Sequence, residues 1–439
     1  MTGKTKERGL CELYQEDPEG ADYQVFGRIA RGDRRGFLKG AGLAAMGAVV
    51  GSTIPFHRNM PSGLIPAALA ETPKDFKLQG KDGLTVHNDR PINAETPAHL
   101  LDDDVTPNNR LFVRNNGLVP EVAERMDATG WTLTVDGEVE TPLTLTLDDL
   151  KTKFKPVKLQ LQLECGGNGR AAFNPPASGN QWTVGAVGNP EWTGVRYADV
   201  LKAAGVKSSA VYTGHYGLDG HLSGDPEKTP ISRGVPIAKA MEAHSIIAFE
   251  MNGGPIPTLN GFPVRTVCPG WPGSTSQKWL NRIWVRDKVH DGSKMTGDSY
   301  KVPKYNVAPG DEVPKGDFKI IESMPVKSLI TTQESGHAIK GRTNMTVGGH
   351  AWAGDRTVTA MHVSIDFGAT WQHADLKEPP NPFAWQRWTA KLDFPGTGYY
   401  EIWARATDDQ GVAQPFAVNW NPKGYLNNAM HRIAVRVEA

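Results

Sequence analysis

One cysteine in the chain is placed where a single thiolate could do chemistry. Cys165 ends a segment from Val157 in which every second residue is apolar, so a β-strand would point Cys165 inward. Three glycines between positions 166 and 169 permit a sharp turn, and Arg170 follows them, where it could favour the thiolate. A soft thiolate without a neighbouring Cys or His suits one bond to a metal whose other ligands come from a cofactor. A small buried cysteine before a turn is the alternative interpretation.

Two further clusters combine arginine, lysine and amide side chains with glycine and proline. The first is the run 111–117, and the second covers 260–279, with Asn260 and Arg265 near its start and Lys278 near its end. Loops of this composition are typical of sites that surround a phosphate or a polar heterocycle. Each cluster alone is also compatible with solvated polar residues at a strand end.

Composition excludes several classes of protein. The 439 residues carry 48 Lys and Arg against 48 Asp and Glu, a net charge of zero that argues against a general nucleic-acid binder. A hydrophobic content of 39% with 22% charged residues indicates a globular protein. The three cysteines, Cys11, Cys165 and Cys268, are too few for a disulfide scaffold or a Cys₄ iron–sulfur cluster, and no CxxCH haem motif is present.

The N-terminal segment has the features of an export signal. Arg34 and Arg35 precede a weakly apolar run at 40–51, and Ala68-Leu69-Ala70 supplies a small-x-small cleavage pattern. The apolar run is shorter than the roughly 20 residues that span a bilayer, and no other stretch approaches that length. Residues 1–70 resemble a twin-arginine signal, which predicts a bacterial periplasmic protein without a membrane span after processing. An amphipathic or anchoring helix is the alternative.

The remaining chain predicts two domains. Residues 71–318 mix strand and helix patterns, which predicts an α+β domain. Its polar, proline-rich start at 71–109 predicts extended chain on the surface, and we expect an Asp-capped helix start at 148 and a helix over 197–204 stopped by Gly205. Residues 319–439 show short alternating strands, at 359–365, 399–406 and 433–437, typical of an all-β, immunoglobulin-like sandwich.

The order and spacing of these clusters resemble the sulfite oxidase family of molybdenum enzymes, from about residue 95 to the end. The motifs that carry the resemblance are Phe112-Val113-Arg114-Asn115, Glu164-Cys165-x-x-Asn168, Met251-Asn252-Gly253, Gly261-Phe262-Pro263-Val264-Arg265, Lys278-Trp279, Val363-Ser364-Ile365-Asp366-x-Gly368-x-Thr370-Trp371, Trp388, Arg405-Ala406-x-Asp408, Gln414-Pro415 and Trp420-Asn421.

The resemblance implies a role for individual residues. It makes Cys165 the molybdenum ligand beside a molybdopterin. Arg114, Arg170, Trp182, Tyr300 and Lys423 match an anion pocket for the substrate, with Tyr305 as an alternative to Tyr300. The residues implied in cofactor binding are Phe112, Val113, Arg114, Asn115, Asn116, His215, Asn260, Arg265, Ser276, Gln277 and Lys278.

Three of these positions depart from the family pattern. Many members have His where this chain has Asn116 and Asn260, and an arginine where it has Lys423. Lysine keeps the charge but loses the bidentate fork of arginine, which bears on substrate preference.

The implied activity is oxidation of sulfite to sulfate by oxygen-atom transfer. Residues 71–110 are too few for a haem domain, so we expect an enzyme without haem that passes electrons to an external acceptor, a periplasmic c-type cytochrome. The C-terminal domain resembles the dimerisation domain of the family, which implies a homodimer. A sulfane dehydrogenase subunit, a sulfoxide reductase and a non-catalytic anion-binding protein remain alternatives.

Overall fold

The computed structural model describes residues 78–439, so the predicted signal at 1–70 lies outside the described residues. Helices are few and short in this range, and none of them is long and apolar enough to cross a membrane. The α-helices are Glu121–Glu124 (α1), Leu147–Lys153 (α2), Tyr197–Ala204 (α3) and Ile237–Ala240 (α4). Single 3₁₀ turns cover Ala98–Leu100, Arg170–Ala172, Thr258–Asn260, Gly273–Thr275 and Lys315–Asp317.

The two helix predictions differ in how well they describe the helix ends. Helix α3 occupies the predicted range and ends at Gly205, whose φ of 66° is the left-handed conformation that glycine adopts without strain. Helix α2 is capped by Thr146, so the predicted aspartate cap is wrong. The Thr146 side chain accepts a hydrogen bond from the Asp149 N–H, and the Asp149 side chain accepts one from the Thr146 N–H, which forms a capping box.

The first domain is built from short strands around two apolar cores. Its strands are Thr85–Asp89 (β1), Ile92–Glu95 (β2), Val113–Arg114 (β3), Thr132–Gly137 (β4), Leu143–Thr146 (β5), Pro156–Gln160 (β6), Leu163–Glu164 (β7), Val187–Gly188 (β8), Glu191–Arg196 (β9), Tyr212–Gly217 (β10), Ile246–Met251 (β11), Gly254–Pro255 (β12), Arg265–Val267 (β13), Leu280–Arg286 (β14), Lys301–Pro303 (β15) and Phe318–Ile320 (β16). The two larger sheets have the orders β10-β14-β4-β5 and β12-β11-β9-β6, with β13 added to β11. Only the β4–β14 pair in this domain is parallel among the described strands.

The segment before residue 110 is more structured than predicted. Strands β1 and β2 form an antiparallel hairpin, and β2 pairs with β3. Glu95 in β2 is buried, and its carboxylate accepts hydrogen bonds from the N–H groups of Thr183 and Gly185 at 3.0 Å. The segment is therefore extended as expected over β1 and β2, but residues 93–96 are buried and do not lie on the surface.

The strand that leads to Cys165 is interrupted, but its inward face is as predicted. The predicted continuous strand consists of β6 and β7, with Leu161 and Gln162 between them. Leu161, Leu163 and Cys165 are all buried in one apolar cluster. The alternation of apolar side chains therefore brings the thiol to the interior.

The C-terminal region is the predicted β-sandwich. Its strands are Lys327–Ile330 (β17), His337–Lys340 (β18), Asn344–Trp352 (β19), Val358–Ser364 (β20), Gln372–His373 (β21), Asp375–Leu376 (β22), Gln386–Asp393 (β23), Gly398–Asp408 (β24) and His431–Glu438 (β25). The sheets β17-β19-β23-β22 and β18-β25-β24-β20-β21 enclose a core of apolar residues. The three predicted strands correspond to β20, β24 and β25. The predicted boundary at 318/319 falls inside β16, which pairs with β15.

Candidate active site

Cys165 lies directly after β7, at the point where two cavities adjoin. The thiol is buried, with 6% of the residue exposed, and Cys165 lines both cavities. Its backbone is fixed, because the Cys165 N–H donates to the Ala186 carbonyl at 2.9 Å and the Cys165 carbonyl accepts from the Asn168 N–H at 2.8 Å. These backbone hydrogen bonds hold the Cys165 thiol at a fixed position facing the two cavities.

The first cavity, of about 610 Å³, has the composition of an anion site. Three cationic side chains, Arg114, Arg170 and Lys423, line it together with Cys165. These are three of the predicted substrate residues, two from the first domain and one, Lys423, from the C-terminal domain. The remaining lining residues are Ser178, Gly179, Asn180, Ser299, Tyr300 and Tyr425.

Arg170 is held rigidly in this cavity. Its Nε donates to the Lys423 carbonyl at 2.8 Å, its Nη1 donates to the Asn180 carbonyl at 3.0 Å, and its guanidinium lies 4.9 Å from the centre of the Tyr425 ring. Gly167 leaves room for this arrangement, since a Cβ there would lie 2.4 Å from the Arg170 Nη2. The glycine turn is therefore needed to seat the arginine beside the thiol.

Arg114, Asn116 and Tyr300 form a hydrogen-bonded triangle at the junction of the two cavities. Arg114 Nη2 donates to Asn116 Oδ1 at 3.0 Å and to the Tyr300 hydroxyl at 3.3 Å, and that hydroxyl donates to Asn116 Oδ1 at 3.1 Å. Tyr300 is buried, whereas Tyr305 is half exposed and its hydroxyl bonds to Asp317 at 3.1 Å. The site tyrosine is therefore Tyr300.

Lys423 is paired with a carboxylate that the sequence did not single out. Its ammonium lies 2.9 Å from Asp298 Oδ2, and this hydrogen bond lowers the pKa of Asp298. Both side chains are partly exposed, so water screens the pair. Asp298 thus offsets part of the positive charge that Lys423 brings to the anion cavity.

The second cavity, of about 640 Å³, collects most of the residues predicted to bind a cofactor. Asn115 does not line it, but its side chain accepts a hydrogen bond from Lys278, which does. The lining residues are Phe112, Arg114, Asn116, Leu163, Cys165, Asp219, Ile231, Asn260, Arg265, Gly273, Ser274, Ser276, Gln277, Lys278, Trp279 and Tyr300.

Basic side chains surround the inner part of this cavity, and burial disfavours their charged forms. Burial lowers the pKa of Lys278 well below its usual range, that of Arg265 to about 9 and that of Lys81 to about 7. Asp219 is the carboxylate in the cavity lining within the described part of the chain, and burial raises its pKa to about 6. A dianionic phosphate would favour the charged forms of these basic side chains.

The arrangement fits a phosphate-bearing pterin whose metal is bound by Cys165. The cationic end of the cavity suits the phosphate, and the amide groups of Asn116, Asn260 and Gln277 suit a polar heterocycle. The Asn115 Nδ2 is buried without a hydrogen-bond partner, next to the Oδ1 that accepts from Lys278 of the cavity lining. Among the described residues no group of three or more His, Cys, Asp and Glu could hold a metal ion, so Cys165 would act with ligands from the cofactor.

Three predicted residues lie elsewhere. His215 is fully buried, and both ring nitrogens are bonded, Nε2 to the hydroxyls of Tyr197 and Thr213 and Nδ1 to the Thr275 carbonyl, each at 3.1 Å. It therefore supports the loop before Ser276 instead of contacting a ligand, and burial lowers its pKa to about 3. Val113 is buried and does not line either cavity.

Trp182 is the third of these residues. It is fully buried against His87, with ring centres 4.7 Å apart, and it is absent from the lining of both cavities. The aromatic side chains that border the anion cavity are instead Tyr300 and Tyr425, whose rings stack at 5.7 Å. The expectation that Trp182 forms the wall of the anion pocket therefore does not describe this arrangement.

Besides Asp298, four residues near the site were missed by the sequence analysis. Tyr425 stacks on Tyr300, Asp219 lines the second cavity, and Lys81 donates to Asn260 Oδ1 at 2.7 Å. The buried Arg233 places its guanidinium 4.9 Å from the Tyr300 ring and donates to Ser274 Oγ at 2.5 Å. No motif marked them, because their contacts are made with residues distant in sequence. Cys268, in contrast, is buried in the apolar core, and burial raises its pKa to about 12.

Comparison with known proteins points to the same chemistry. Residues 117–294 match the family model "Oxidoreductase molybdopterin binding domain", and residues 318–438 match "Mo-co oxidoreductase dimerisation domain". Mitochondrial sulfite oxidase of Rattus norvegicus is 35% identical over 398 residues, which cover 86% of this chain and 70% of that protein. The human enzyme is 36% identical over 371 residues, covering 81% and 66%. The sulfane dehydrogenase SoxCD of Paracoccus pantotrophus superposes with a TM-score of 0.66 at 26% identity, covering 86% of this chain and 91% of that one.

Proposed function

Because this chain belongs to the sulfite oxidase family of molybdenum enzymes, we propose that it oxidises sulfite to sulfate. The observation that carries the proposal is the convergence of Arg114, Arg170 and Lys423 on one cavity beside Cys165. Sulfite is a small anion with three oxygens around sulfur. Guanidinium groups stay charged and match such oxygens with paired N–H donors.

The second cavity binds the cofactor, and the first cavity binds the substrate. Lys278 and Arg265 hold the phosphate end of the molybdenum cofactor, and Cys165 binds its metal. When bound, this cofactor supplies oxygen-atom transfer and accepts two electrons. Arg170 and Lys423 capture and orient the substrate anion. Arg114, which shares the Asn116 acceptor with the Tyr300 hydroxyl, positions N–H donors where the two cavities meet.

Turnover of sulfite with ferricyanide as electron acceptor tests the proposal. Protein with one molybdenum per chain should reduce ferricyanide only when sulfite is present, with sulfate as product. Molybdenum-loaded protein that shows no turnover would contradict it. The molybdenum measurement itself distinguishes an enzyme from a non-catalytic anion-binding protein, which would bind the anion without metal.

Oxidation of a sulfane sulfur is the second candidate, favoured by the resemblance to SoxCD over 86% of the chain. A sulfane substrate attached to a carrier needs an open approach, whereas the cavity beside Cys165 is lined by three cations suited to a free small anion. Activity with a carrier-bound sulfane but not with sulfite would support this candidate. A sulfoxide reductase is less consistent with the site, because a neutral sulfoxide gains little from three cations.

The proposal extends to location, acceptor and assembly. Residues 1–70 direct the protein to the periplasm through the twin-arginine pathway, and a c-type cytochrome takes the electrons from a catalytic subunit without haem. The sandwich at 319–439 forms a homodimer. Replacing Arg34 and Arg35 by lysine should stop export, and the purified protein should have twice the mass of one processed chain in solution.

A further inference from the structure

The turn that carries Cys165 is held from outside its own domain by the C-terminal sandwich. The Gly166 carbonyl accepts from the Leu426 N–H at 3.0 Å, and the Gly169 carbonyl accepts from Asn427 Nδ2 at 3.0 Å. Both donors belong to the loop that leads into β25. The side of the turn away from the cavities is thus fastened to the second domain.

A buried ion pair makes the strongest of these connections. Glu164 precedes Cys165, and adjacent residues of an extended chain point to opposite sides, so Glu164 faces the sandwich while Cys165 faces the cavities. The Glu164 carboxylate accepts from Lys327 Nζ at 3.0 Å and from Trp352 Nε1 at 2.8 Å. Glu164 is 1% exposed, and Lys327 and Trp352, from β17 and β19, are 3% exposed each.

The same lysine also reaches the far end of the turn. Lys327 Nζ donates to the Asn168 carbonyl at 3.2 Å, and Asn168 Nδ2 donates to Glu164 Oε1 at 3.0 Å. Asn168 in turn donates its N–H to the Cys165 carbonyl, and its Oδ1 accepts from the Ala186 N–H at 3.1 Å. One ammonium therefore ties together the residues on both sides of Cys165.

We propose that Lys327 of the sandwich is a positioning residue for the Cys165 thiolate. It fixes the direction of the metal–sulfur bond through Glu164 and Asn168, and it touches neither substrate nor cofactor itself. The sandwich then has a role in the metal site in addition to dimerisation. Groups that orient a metal ligand from behind affect the metal strongly, and their replacement typically costs about 10- to 100-fold in metal affinity or activity.

The test uses molybdenum-loaded full-length protein and the Lys327→Met variant. Electron paramagnetic resonance of the metal, reduced by one electron with a chemical reductant, reports the metal–sulfur geometry independently of sulfite turnover. We expect shifted g-values in the variant and loss of molybdenum during dialysis about tenfold faster than in the unaltered protein. Lys327→Arg keeps the charge, so its g-values and its rate of molybdenum loss should be close to those of the unaltered protein.

Lys239 provides the matched control. It is also a buried lysine that joins the first domain to the sandwich, with its Nζ 2.7 Å from Asp355 Oδ1, but it is not bonded to the Cys165 turn. Lys239→Met should leave the g-values unchanged. An equal shift in Lys239→Met would show a general effect of domain packing and overturn the proposal.

Two further variants keep the proposal testable where Lys327→Met does not fold. Glu164→Gln combined with Lys327→Met removes both charges, so no unpaired charge stays buried. Trp352→Phe keeps the ion pair and the ring but removes one hydrogen bond to Glu164. We expect a large spectral shift in the double variant and a small one in Trp352→Phe. Unaltered g-values and molybdenum retention in the folded variants would refute the role of Lys327, whereas a failure of sulfite oxidation alone would refute only the proposed substrate.

Discussion

Lys81 makes the free energy of unfolding depend on pH in a way that one substitution should abolish. Its side chain is half-buried, and its ammonium donates to the carbonyls of Asn108 at 2.6 Å and Leu111 at 2.8 Å, and to Asn260 Oδ1 at 2.7 Å. No carboxylate within the described residues bonds to it in this arrangement. Burial lowers its pKa from the usual 10.5 to about 7.

The sign of this pH dependence follows from the pKa values of Lys81 in the folded and the unfolded chain. Between pH 7 and 10.5 the unfolded chain binds more protons at Lys81 than the folded chain, so stability rises with pH. The penalty for the buried charge is fully present below the folded pKa of about 7 and disappears above 10.5. With about 1.36 kcal/mol per pKa unit, the penalty falls from about 4.7 kcal/mol near pH 6 to about 2 kcal/mol near pH 9. The expected gain in stability over this range is therefore about 2.6 kcal/mol.

Urea unfolding of the cofactor-free protein at both pH values measures this gain. Lys81→Met should remove it, while Lys202→Met, at an exposed position of α3, should keep it. Lys81→Met also leaves three acceptors without a donor, but that cost is independent of pH. It therefore cancels when the slope of unfolding free energy against pH is compared between the variant and the unaltered protein. Equal slopes in the unaltered protein and in Lys81→Met would refute the argument. Bound cofactor should flatten the slope, because its phosphate favours the charged lysine.

Three further substitutions test the anion cavity and the thiolate. Arg170→Lys keeps the charge but loses the hydrogen bonds to the Lys423 and Asn180 carbonyls. We therefore expect kcat/KM for sulfite to fall about 10- to 100-fold. A fall of less than about threefold would contradict this expectation. Asp298→Asn frees Lys423 from a partly exposed ion pair worth up to about 1 kcal/mol. The KM for sulfite should therefore fall by up to about fivefold at constant kcat. A raised KM would contradict this and show that the ion pair with Asp298 orients Lys423. Cys165→Ser should abolish sulfite oxidation, while Cys268→Ser, in the apolar core, should keep it; full activity in Cys165→Ser would exclude the thiolate as metal ligand.

The parts of the site that could be predicted depend on local pattern. Alternation of apolar residues placed Cys165 on the interior face even though the strand is interrupted, because both pieces keep the same face buried. The glycine turn and Arg170 follow within five residues, so their relation to the thiol was visible in the sequence. Gly205 ended α3 for an equally local reason, its left-handed conformation.

The parts that could not be predicted depend on contacts between distant segments. Lys81 contacts Asn260, 179 residues away, and Lys327 contacts Glu164, 163 residues away. A lysine in a polar stretch is ordinarily exposed, and only the folded chain shows that acceptors surround it. The prediction that His215 contacts the cofactor failed because contacts with distant residues were again invisible in the sequence. Its side chain is of a type that can bind ligands, but Tyr197, Thr213 and Thr275 already occupy both ring nitrogens.

The basic side chains around the cofactor cavity connect cofactor binding to the stability of the folded chain. Lys81, Lys278 and Arg265 carry a desolvation penalty, and Asp219, the carboxylate of the cavity lining among the described residues, compensates it only in part. An anionic ligand bound only to the folded chain would repay that penalty and stabilise the fold, with a gain that grows with ligand concentration over Kd. A chain of this kind reaches its full stability after the cofactor is in place.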